Sequence, residues 1–428
     1  MKCTYACGSR EHLLARRTFL GHVAAGMGAA AGFGSFARRA VAAQLQQAQK
    51  RIIVIYLAGG VSQLESWDPK PGTDTGGPFR AIPTSVPGVN ISELLPHTAG
   101  QMHRLALVRG INTNENDHGK GSYIMHTGRR EDPAITYPHL GSLAAKYLAP
   151  EDGALPGYIH ITPGGSGLGQ QDAAFLGPKY GSVVLGNGQP PQNSVRPEQL
   201  SDTDDKLRNE LRRRLNDRFV RRRRTAETEA YSYSYEQAAQ LMQRRDVFDV
   251  TKEPPAELER YGAHDFGRHC LLARRLLEQG VTFVKVSHSN YDTHNENFNF
   301  HLEQLGEFDR TFATLIDDLH QRGMLDSTLV VVMSEFGRTP QINHLYGRDH
   351  WGTAWSVAMA GCGLHVGSVV GKTNDNGTAV VDREVNGGHL FHTYLRALGL
   401  DPAMELSVGG RPIPMADPEA AAIEELLA

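Results

Sequence analysis

Residues 327–351, STLVVVMSEFGRTPQINHLYGRDHW, constrain the fold of this chain more than any other segment. Positions 328–332 are an unbroken run of apolar and β-branched residues, which predicts a strand buried on both faces. The strand ends abruptly in a polar turn that contains Glu335 and Arg338. Because open parallel sheets bind ligands at the carboxyl ends of their strands, we expect chemistry at this turn. A surface turn closed by a salt bridge between these two residues is the alternative interpretation.

Strand and helix patterns alternate along most of the 428 residues. This order predicts an α/β fold with a mostly parallel central sheet and helices on both faces. The composition of residues 163–197, rich in Gly, Pro, Asn and Gln, predicts a long irregular excursion. The predicted strands are 51–58, 104–109, 158–161, 281–287, 328–332 and 356–360, and the main predicted helices are 137–148, 263–280, 302–319 and 389–398.

Residues 200–250 have a different, helical pattern and are predicted to form an insertion or a cap on the sheet. Leu207, Leu211, Leu215 and Phe219 recur every fourth residue, a spacing that predicts one buried stripe along a helix. The arginine runs at 212–214 and 221–224 are then expected to cover the solvent face of that helix, although basic runs also suit nucleic acid.

The first 42 residues have the features of a twin-arginine export signal. Arg16 and Arg17 precede a weakly apolar, Gly/Ala-rich run at 21–37, and residues 40–42 offer an A-x-A cleavage site. A membrane-spanning helix is disfavoured because the apolar run is short and rich in glycine. We therefore expect residues 43–428 to be the mature protein, delivered by the twin-arginine translocase to the periplasm or beyond, without stable membrane insertion.

The charge of the predicted mature chain indicates which partners it should bind poorly, and its cysteines indicate whether a disulfide can form. Removal of residues 1–42 takes away six basic residues and one acidic residue, which changes the formal charge from −3 to −8. An acidic protein is a poor partner for nucleic acid or an anionic membrane. Cys270 and Cys362 remain after cleavage. One disulfide is possible, but Cys270 lies in an apolar helical pattern that is typical of a buried thiol.

Most of the polar residues that can carry chemistry follow predicted strands, in the segments 62–70, 112–122, 288–301 and 335–350. Asp292 and His294 are two residues apart and can present both side chains to one ion. With His350 they form a mixed oxygen and nitrogen ligand set, which suits zinc, manganese or iron better than calcium or magnesium. Glu335 and Asp349 are further candidate ligands at the same predicted edge of the sheet.

Five motifs give the chain a family resemblance: LAGGVSQLESWDPKPG, H-x7-HTGR, DTHNEN, SEFGRTP and GRDHW. In this order they resemble an exported bacterial family known as domain of unknown function 1501. That family is similar to the alkaline phosphatase and sulfatase superfamily. The resemblance covers essentially the whole mature chain, and it implies a sulfatase-like sheet with metal ions at its carboxyl edge.

The resemblance also implies roles for individual residues. Asp292, His294 and His350 match the ligands of one metal of the superfamily. At the second metal, Ser62 and Phe336 stand where the relatives have an Asp and a His, so a ligand is lost. The nucleophile of sulfatases, a Cys or Ser nine residues before a Thr-Gly pair, is replaced by His118.

His118 is therefore a candidate catalytic residue, since histidine can act as a metal ligand, a general base or a nucleophile. Arg338 is expected to bind an anionic ester, and Lys70, Arg129 and Ser62 are further candidates for substrate binding. The expected function is a hydrolase of phosphate or sulfate esters that depends on a divalent metal, zinc or manganese, and acts on an anionic ester or a sulfated glycan. A degenerate relative that binds a ligand or glycan without turnover is the alternative.

Overall fold

The computed structural model describes residues 50–150, 153–164, 167–190, 195–222 and 226–427, so the predicted signal peptide lies outside the described residues. Within these ranges the chain folds around a nine-stranded sheet. In chain order its strands are β1 Arg51–Leu57, β2 Leu105–Ile111, β3 Tyr158–Thr162, β4 Gly167–Gly169, β5 Ser182–Gly186, β6 Phe283–His288, β7 Thr328–Met333, β8 Trp355–Ala360 and β9 Ser368–Val370.

The strand order across the sheet is β9-β2-β8-β7-β1-β6-β3-β5-β4. The central strand β1 pairs in parallel with β6 and β7, which places Ile53 between Val284 and Val330. β8 runs antiparallel to β2 and β7, β4 runs antiparallel to β5, and the remaining pairs are parallel. The predicted mostly parallel sheet is thus confirmed. The reversal at β8 has no sequence signal, because a buried strand reads alike in both directions.

Helices cover both faces of this sheet. They are α1 Pro96–Gln101, α2 His118–Thr127, α3 Leu140–Tyr147, α4 Asp202–Arg222, α5 Ala226–Gln243, α6 Pro255–Tyr261, α7 Asp265–Glu278, α8 Asn297–Gln321 and α9 Gly387–Ala397. Ile53, Ile55 and Leu57 of β1 pack with the apolar side chains of α7 and α8 in the main core. The alternate residues of β1 face α2, where the ring of Tyr56 lies 5.1 Å from that of His126. Fully buried strands of this kind serve two layers at once.

Helix α2 begins and ends where local chemistry requires it. The side chain of Asp117 accepts a hydrogen bond from the backbone N–H of Lys120 at 3.0 Å, so Asp117 caps the helix and His118 is its first residue. Gly128 ends the helix with a φ of 69°, a left-handed conformation that glycine adopts without strain. A Cβ atom at Gly128 would also collide with Phe391. The cap therefore fixes the position of His118 at the start of the helix.

Two predictions from composition and spacing are wrong. Residues 163–197 are not an irregular excursion, because they contain β4 and β5, and β5 pairs in parallel with β3. Leu207, Leu211 and Leu215 do not form a buried stripe on α4, since their exposed fractions are 59%, 59% and 55%. The side chain of Phe219, the fourth residue of that predicted stripe, lies outside the described part of the structure. Four-residue spacing shows that side chains share one face of a helix, but it does not show that another element covers that face.

Other features agree with the sequence. Helices α4 and α5 form the predicted helical segment between residues 200 and 250. Cys270 and Cys362 are both buried free thiols.

No helix among the described residues combines the length and the apolar character needed to cross a membrane. Short two-stranded ladders join Ala81–Pro83 to Asn90–Ser92, Gly337–Arg338 to His350–Trp351, Lys372–Thr373 to Val380–Asp382, and Glu405–Val408 to Arg411–Pro414.

Candidate metal centre

The loops that follow three strands meet at the carboxyl edge of the sheet. Asp292 and His294 follow β6, Glu335 follows β7, and His118 follows β2. The loop after β7 then returns to the same place, because His350 pairs with Arg338 in a short antiparallel ladder. Since β6 and β7 both flank β1, their loops converge over the end of the central strand.

The carboxylate of Asp292 is the centre of the resulting cluster. Its Oδ2 atom lies 3.3 Å from Nε2 of His118. Its Oδ1 atom lies 3.2 Å from Nε2 of His294 and 3.2 Å from Nε2 of His350. Burial acts to raise the pKa of Asp292, but the hydrogen bond and charge of the Arg338 guanidinium hold that pKa at about 2. Asp292 is therefore ionised at neutral pH.

Two of the three histidines are oriented by carboxylates. His118 donates its Nδ1–H to Glu335 at 2.7 Å, and His294 donates its Nδ1–H to Asp349 at 2.6 Å. An ionised carboxylate can only accept, so Nδ1 carries a proton in both rings, and Nε2 faces Asp292, where its lone pair can bind a cation. The hydrogen bond to Glu335 raises the pKa of His118. In metal sites a ligand histidine typically binds the metal through one ring nitrogen and donates the N–H of the other to a carboxylate.

The third histidine has the same tautomer for a different reason. His350 donates its Nδ1–H to the backbone carbonyl of Asn116 at 2.7 Å, and a carbonyl cannot donate. The Nε2 atom of His350 lies 3.0 Å from that of His294. Two lone pairs at this distance repel each other, and a cation between them removes the repulsion. Burial lowers the pKa of His350, so its ring does not readily take up a proton.

The donor set fits a small divalent cation. One donor atom from each of His118, Asp292 and His350 lies within 4.8 Å of the other two. The carboxylate of Asp292 lies 3.2 Å from Nε2 of His350 and 3.3 Å from Nε2 of His118. These distances are close to the roughly 3.3 Å that separates ligands placed about 2.0–2.1 Å from a tetrahedral ion. Imidazole nitrogen with one carboxylate suits zinc and manganese. In the described part of the chain this is the group of His, Cys, Asp or Glu side chains that can hold a metal ion.

Glu335 and Asp349, which the sequence analysis gave as candidate metal ligands, contact histidine side chains of the cluster through Nδ1. Glu335 is buried, accepts the backbone N–H of Gly59 at 2.9 Å and contacts the cluster through His118. Although burial acts to raise the pKa of Glu335, its hydrogen bonds with His118 and the backbone lower it. Asp349 meets the cluster through Nδ1 of His294. Both carboxylates orient an imidazole in this structure.

Arg338 is a positioning residue in this geometry. Its side chain is fully buried. Its Nε donates to the carbonyl of Gly60 at 2.9 Å and its Nη1 to the carbonyl of Arg348 at 3.0 Å. Its Nη2 donates to the carbonyl of Gly59 and to Asp292. The expected contact of Arg338 with an anionic ester does not fit these contacts, because protein acceptors already occupy the guanidinium.

Phe336 and Ser62, where the resemblance implies that a second metal site is lost, are both buried. The ring centroid of Phe336 lies 4.9 Å from that of His118 and 4.4 Å from that of His350. The backbone N–H of Ser62 donates to Nε2 of His301 at 3.0 Å. A phenyl ring thus fills the space beside the cluster, and it offers no metal ligand.

The other predicted substrate-binding residues have partners elsewhere. Lys70 forms an ion pair with Asp68 at 3.1 Å. Arg129 lies over the ring of Tyr137 at 4.5 Å and donates to the carbonyl of Pro414 at 2.9 Å. The structure therefore does not bring Lys70, Arg129 or Ser62 into contact with the histidines of the cluster, which are His118, His294 and His350.

Two contributors were missed by the sequence analysis. Asn116 acts through its backbone carbonyl, and a main-chain acceptor leaves no trace in residue identity. The hydroxyl of Ser334 accepts the N–H of Gly60 at 3.0 Å and donates to the carbonyl of Leu57 at 2.5 Å, which joins the ends of β1 and β7. A hydroxyl residue directly after a buried strand was a signal that could have identified Ser334.

Similarity to solved structures extends over most of the chain at low identity. The lipoteichoic acid synthase LtaP from Listeria monocytogenes is 10% identical with a TM-score of 0.38, covering 86% of this chain and 75% of that one. Alkaline phosphatase from the Antarctic bacterium TAB5 is 12% identical with a TM-score of 0.36, covering 82% and 98%. The sulfatase PsFucS1 from Pseudoalteromonas sp. is 12% identical with a TM-score of 0.36, covering 85% and 72%. Likeness at this level defines neither an activity nor a ligand.

Sequence comparison gives a firmer assignment. None of the curated proteins matches the chain significantly. One protein family matches residues 49–427, a span that includes all nine strands of the sheet and every residue of the metal centre. The chain belongs to the family described as "Protein of unknown function (DUF1501)".

Proposed function

We propose that this protein is an exported, metal-dependent hydrolase of phosphate or sulfate esters. The observation that carries the proposal is the convergence of three imidazole Nε2 atoms on the ionised carboxylate of Asp292. Each imidazole has its Nδ1–H bound to a protein oxygen, so each Nε2 can offer its lone pair to a cation or accept a proton.

Asp292, His118 and His350 are the residues that would hold the ion. Three protein ligands leave one position for substrate or water, as in catalytic rather than structural zinc sites. When bound, a divalent ion supplies Lewis-acid polarisation of the ester and an acidified water. Arg338 keeps Asp292 ionised and in place, and Glu335 holds a proton on Nδ1 of His118 and turns its Nε2 toward Asp292.

His294 is the proposed proton carrier. It lies on the solvent side of the cluster with 47% of its side chain exposed, and Asp349 holds its Nδ1–H. A histidine backed by a carboxylate can accept a proton at Nε2 and return it to a leaving group. This role differs from the ligand role that the resemblance implies for His294, and the two roles predict different metal contents in a variant.

Water is the proposed nucleophile. The resemblance places His118 where sulfatases carry a Cys or Ser, but Nδ1 of His118 is bound to Glu335 and its Nε2 lies against Asp292. Assigned to the ion, His118 is unavailable for attack on phosphorus or sulfur. We therefore expect direct hydrolysis without a covalent enzyme intermediate and without an aldehyde residue between positions 112 and 129.

An anionic substrate is supported by the charge at the site. His118 is the first residue of α2, so the positive end of that helix dipole lies at the cluster. A phosphate or sulfate ester, including a sulfated glycan, has the matching charge. The export signal predicted at residues 1–42 places the reaction in the periplasm or outside the cell.

Elemental analysis of the protein, folded and exported in its own host, tests the proposal together with a screen of phosphate and sulfate esters. We expect about one equivalent of zinc or manganese in the wild type and little in the double variant Asp292→Ala, His350→Ala. His294→Gln should keep the metal and lose turnover. Loss of metal in His294→Gln would instead make His294 a ligand, and a wild type without metal would contradict the proposal.

Binding of a ligand or glycan without turnover is the second candidate. Burial of Phe336 and Ser62 at the positions of the lost second metal favours it. Stoichiometric metal and tight glycan binding, with no hydrolysis of any ester in the screen, would establish this alternative.

A further inference from the structure

Helix α4 exposes an apolar stripe to solvent. Leu207, Leu211 and Leu215 are each more than half exposed and lie on one face of the helix. Single exposed leucines are ordinary, but three in a row on one face form a patch that proteins usually cover. No described residue covers this one.

The stripe has a symmetrical sequence. Asp204 lies three residues before Leu207, and Arg218 lies three residues after Leu215, so the spacing along the face is three, four, four and three. At 3.6 residues per turn all five residues fall within one quarter of the helix circumference. Leu211 is the centre of the pattern, with an acid at one end and a base at the other.

We propose that this stripe is the interface of a homodimer in which α4 packs antiparallel against α4 of a second copy of the chain. A two-fold axis at Leu211 brings Leu207 against the partner's Leu215. The same axis places Asp204 opposite the partner's Arg218. Such an interface is isologous, because one patch is complementary to itself.

Charge along α4 favours the antiparallel arrangement over a parallel one. The first turn of the helix carries Asp202, Asp204 and Asp205. Asp202 pairs with Arg196 and Asp205 with Arg208, so Asp204 is the acid of this turn without an ion pair to a described residue. Arg213 and Arg218 lie toward the other end and are exposed. Antiparallel packing sets each acidic end against a basic end and also opposes the two helix dipoles. Parallel packing would set like charges together.

Neither charged residue at the two ends forms an ion pair with a described residue. Asp204 accepts a hydrogen bond from the hydroxyl of Ser201 through Oδ2 at 2.6 Å, and its Oδ1 can still accept from a partner. Arg218 makes no hydrogen bond or ion pair with a described residue. Arg212, by contrast, lies 4.7 Å from the ring of Tyr235 on α5, and Arg214 pairs with Glu210 on its own helix at 2.5 Å. Arg218 is thus the base that the symmetrical stripe presents to a second chain.

The size of the helix sets the expected strength. A helix of 21 residues is roughly 31 Å long, and three leucines from each chain bury a small area. We therefore expect a dimer whose population depends on protein concentration, as small interfaces do.

Sedimentation velocity of the purified full chain over a range of concentrations tests the proposal. The wild type should form a dimer, and Leu211→Glu, which places two carboxylates at the two-fold axis, should raise the dissociation constant more than about a hundredfold. Leu302→Glu is the matched control, because Leu302 is 57% exposed on α8. It should sediment like the wild type.

A charge exchange tests the antiparallel register. Asp204→Arg alone and Arg218→Asp alone should each weaken the dimer, because like charges then face each other. A mixture of these two single variants should form heterodimers, since every pair is again opposite in charge. A wild type that is monomeric at all concentrations, including one that binds phosphatidylglycerol vesicles through α4, would overturn the proposal. So would a mixture that forms no heterodimers, or equal effects of Leu211→Glu and Leu302→Glu.

Discussion

Two histidine clusters on this fold differ in whether a described side chain supplies a cation to their imidazoles. The candidate metal centre consists of His118, His294 and His350 around Asp292, at the carboxyl edge of the sheet. A second group, here called the buried cluster, lies between the sheet and the helices α2 and α3. Its members are His126, His139, His160, Asp172 and Lys285.

The buried cluster carries its own cation. Nζ of Lys285 donates to Nε2 of His126 at 2.8 Å and lies 4.3 Å from the centroid of the Tyr56 ring. His126 in turn donates its Nδ1–H to the carbonyl of Ser122 at 2.7 Å. Burial lowers the pKa of Lys285 to about 8 and that of His126 well below its ordinary value, so neutral imidazole surrounds an ammonium group at neutral pH.

The difference between the clusters shows what marks a candidate metal site. His126 and His350 both bind a backbone carbonyl through Nδ1 and leave Nε2 free of its proton. At His126 the free nitrogen accepts from Lys285, whereas at His350 it faces another such nitrogen and a carboxylate. A fixed tautomer is therefore common to both clusters. Among the described residues no Lys or Arg donates to Nε2 of His350, and this difference distinguishes the candidate metal centre.

The largest predicted effect is that of Asp292→Asn on the metal centre. Removal of the one anionic donor should lower metal affinity by at least about a hundredfold, measured by competition with a chelating indicator. His126→Asn is the control in the buried cluster and should leave metal content unchanged. Equal loss of metal in both variants would erase the distinction between the clusters.

The next effect separates the two carboxylates that orient histidines. Glu335→Gln disturbs the tautomer of the ligand His118 and should lower metal affinity by about 10- to 100-fold. Asp349→Asn acts on His294, so it should lower turnover while the metal stays bound. Elemental analysis and ester kinetics on both variants check this division. If Asp349→Asn loses metal as readily as Glu335→Gln, His294 belongs to the ligand set.

The sequence predicted the strands that carry the residues of both clusters better than it predicted the contacts between those residues. Lys285 stands within VTFVKVS, which reads as a buried strand, and its partner His126 is 159 residues away. Alternation along a strand tells which residues share a face, but not what lies above them. The structure brings Asp292, His294 and His350 close together, as their place after predicted strands indicated, and their role as metal ligands stays a prediction. Asn116 was not found, because it contributes a backbone carbonyl.

Arg338 and the α4 leucines show a second limit. In both cases the sequence indicated what kind of contact the side chain can make, but not which part of the structure it contacts. A guanidinium binds carboxylates and carbonyls as well as phosphate, and Arg338 is fully buried among the former. The spacing of leucines defines a face, and whether that face is covered depends on other elements or other chains.

Lys285→Met should affect stability and leave the metal centre intact. The substitution keeps the size of the side chain but leaves Nε2 of His126 as a buried acceptor without a donor, which costs about 1–3 kcal/mol. Urea unfolding measures the loss, and metal content should not change. Lys120→Met, at an exposed position of α2, is the matched control and should be nearly neutral. A stability loss in Lys120→Met as large as that in Lys285→Met would remove the special role of the buried ammonium.

The smallest predicted effect is a pH dependence that belongs to the buried cluster. Burial lowers the pKa of Lys285 from 10.5 to about 8 in the folded protein. Between these values the unfolded chain binds more protons than the folded chain, so stability rises with pH there, by about 1 kcal/mol per pH unit or less. Below pH 8 both states hold the proton and this contribution is constant. Urea unfolding of the wild type and Lys285→Met between pH 7 and 10 isolates it, because the difference in unfolding free energy should grow above pH 8. A flat difference would mean that the ammonium keeps its ordinary pKa, and the buried cluster would then not be built around a desolvated cation.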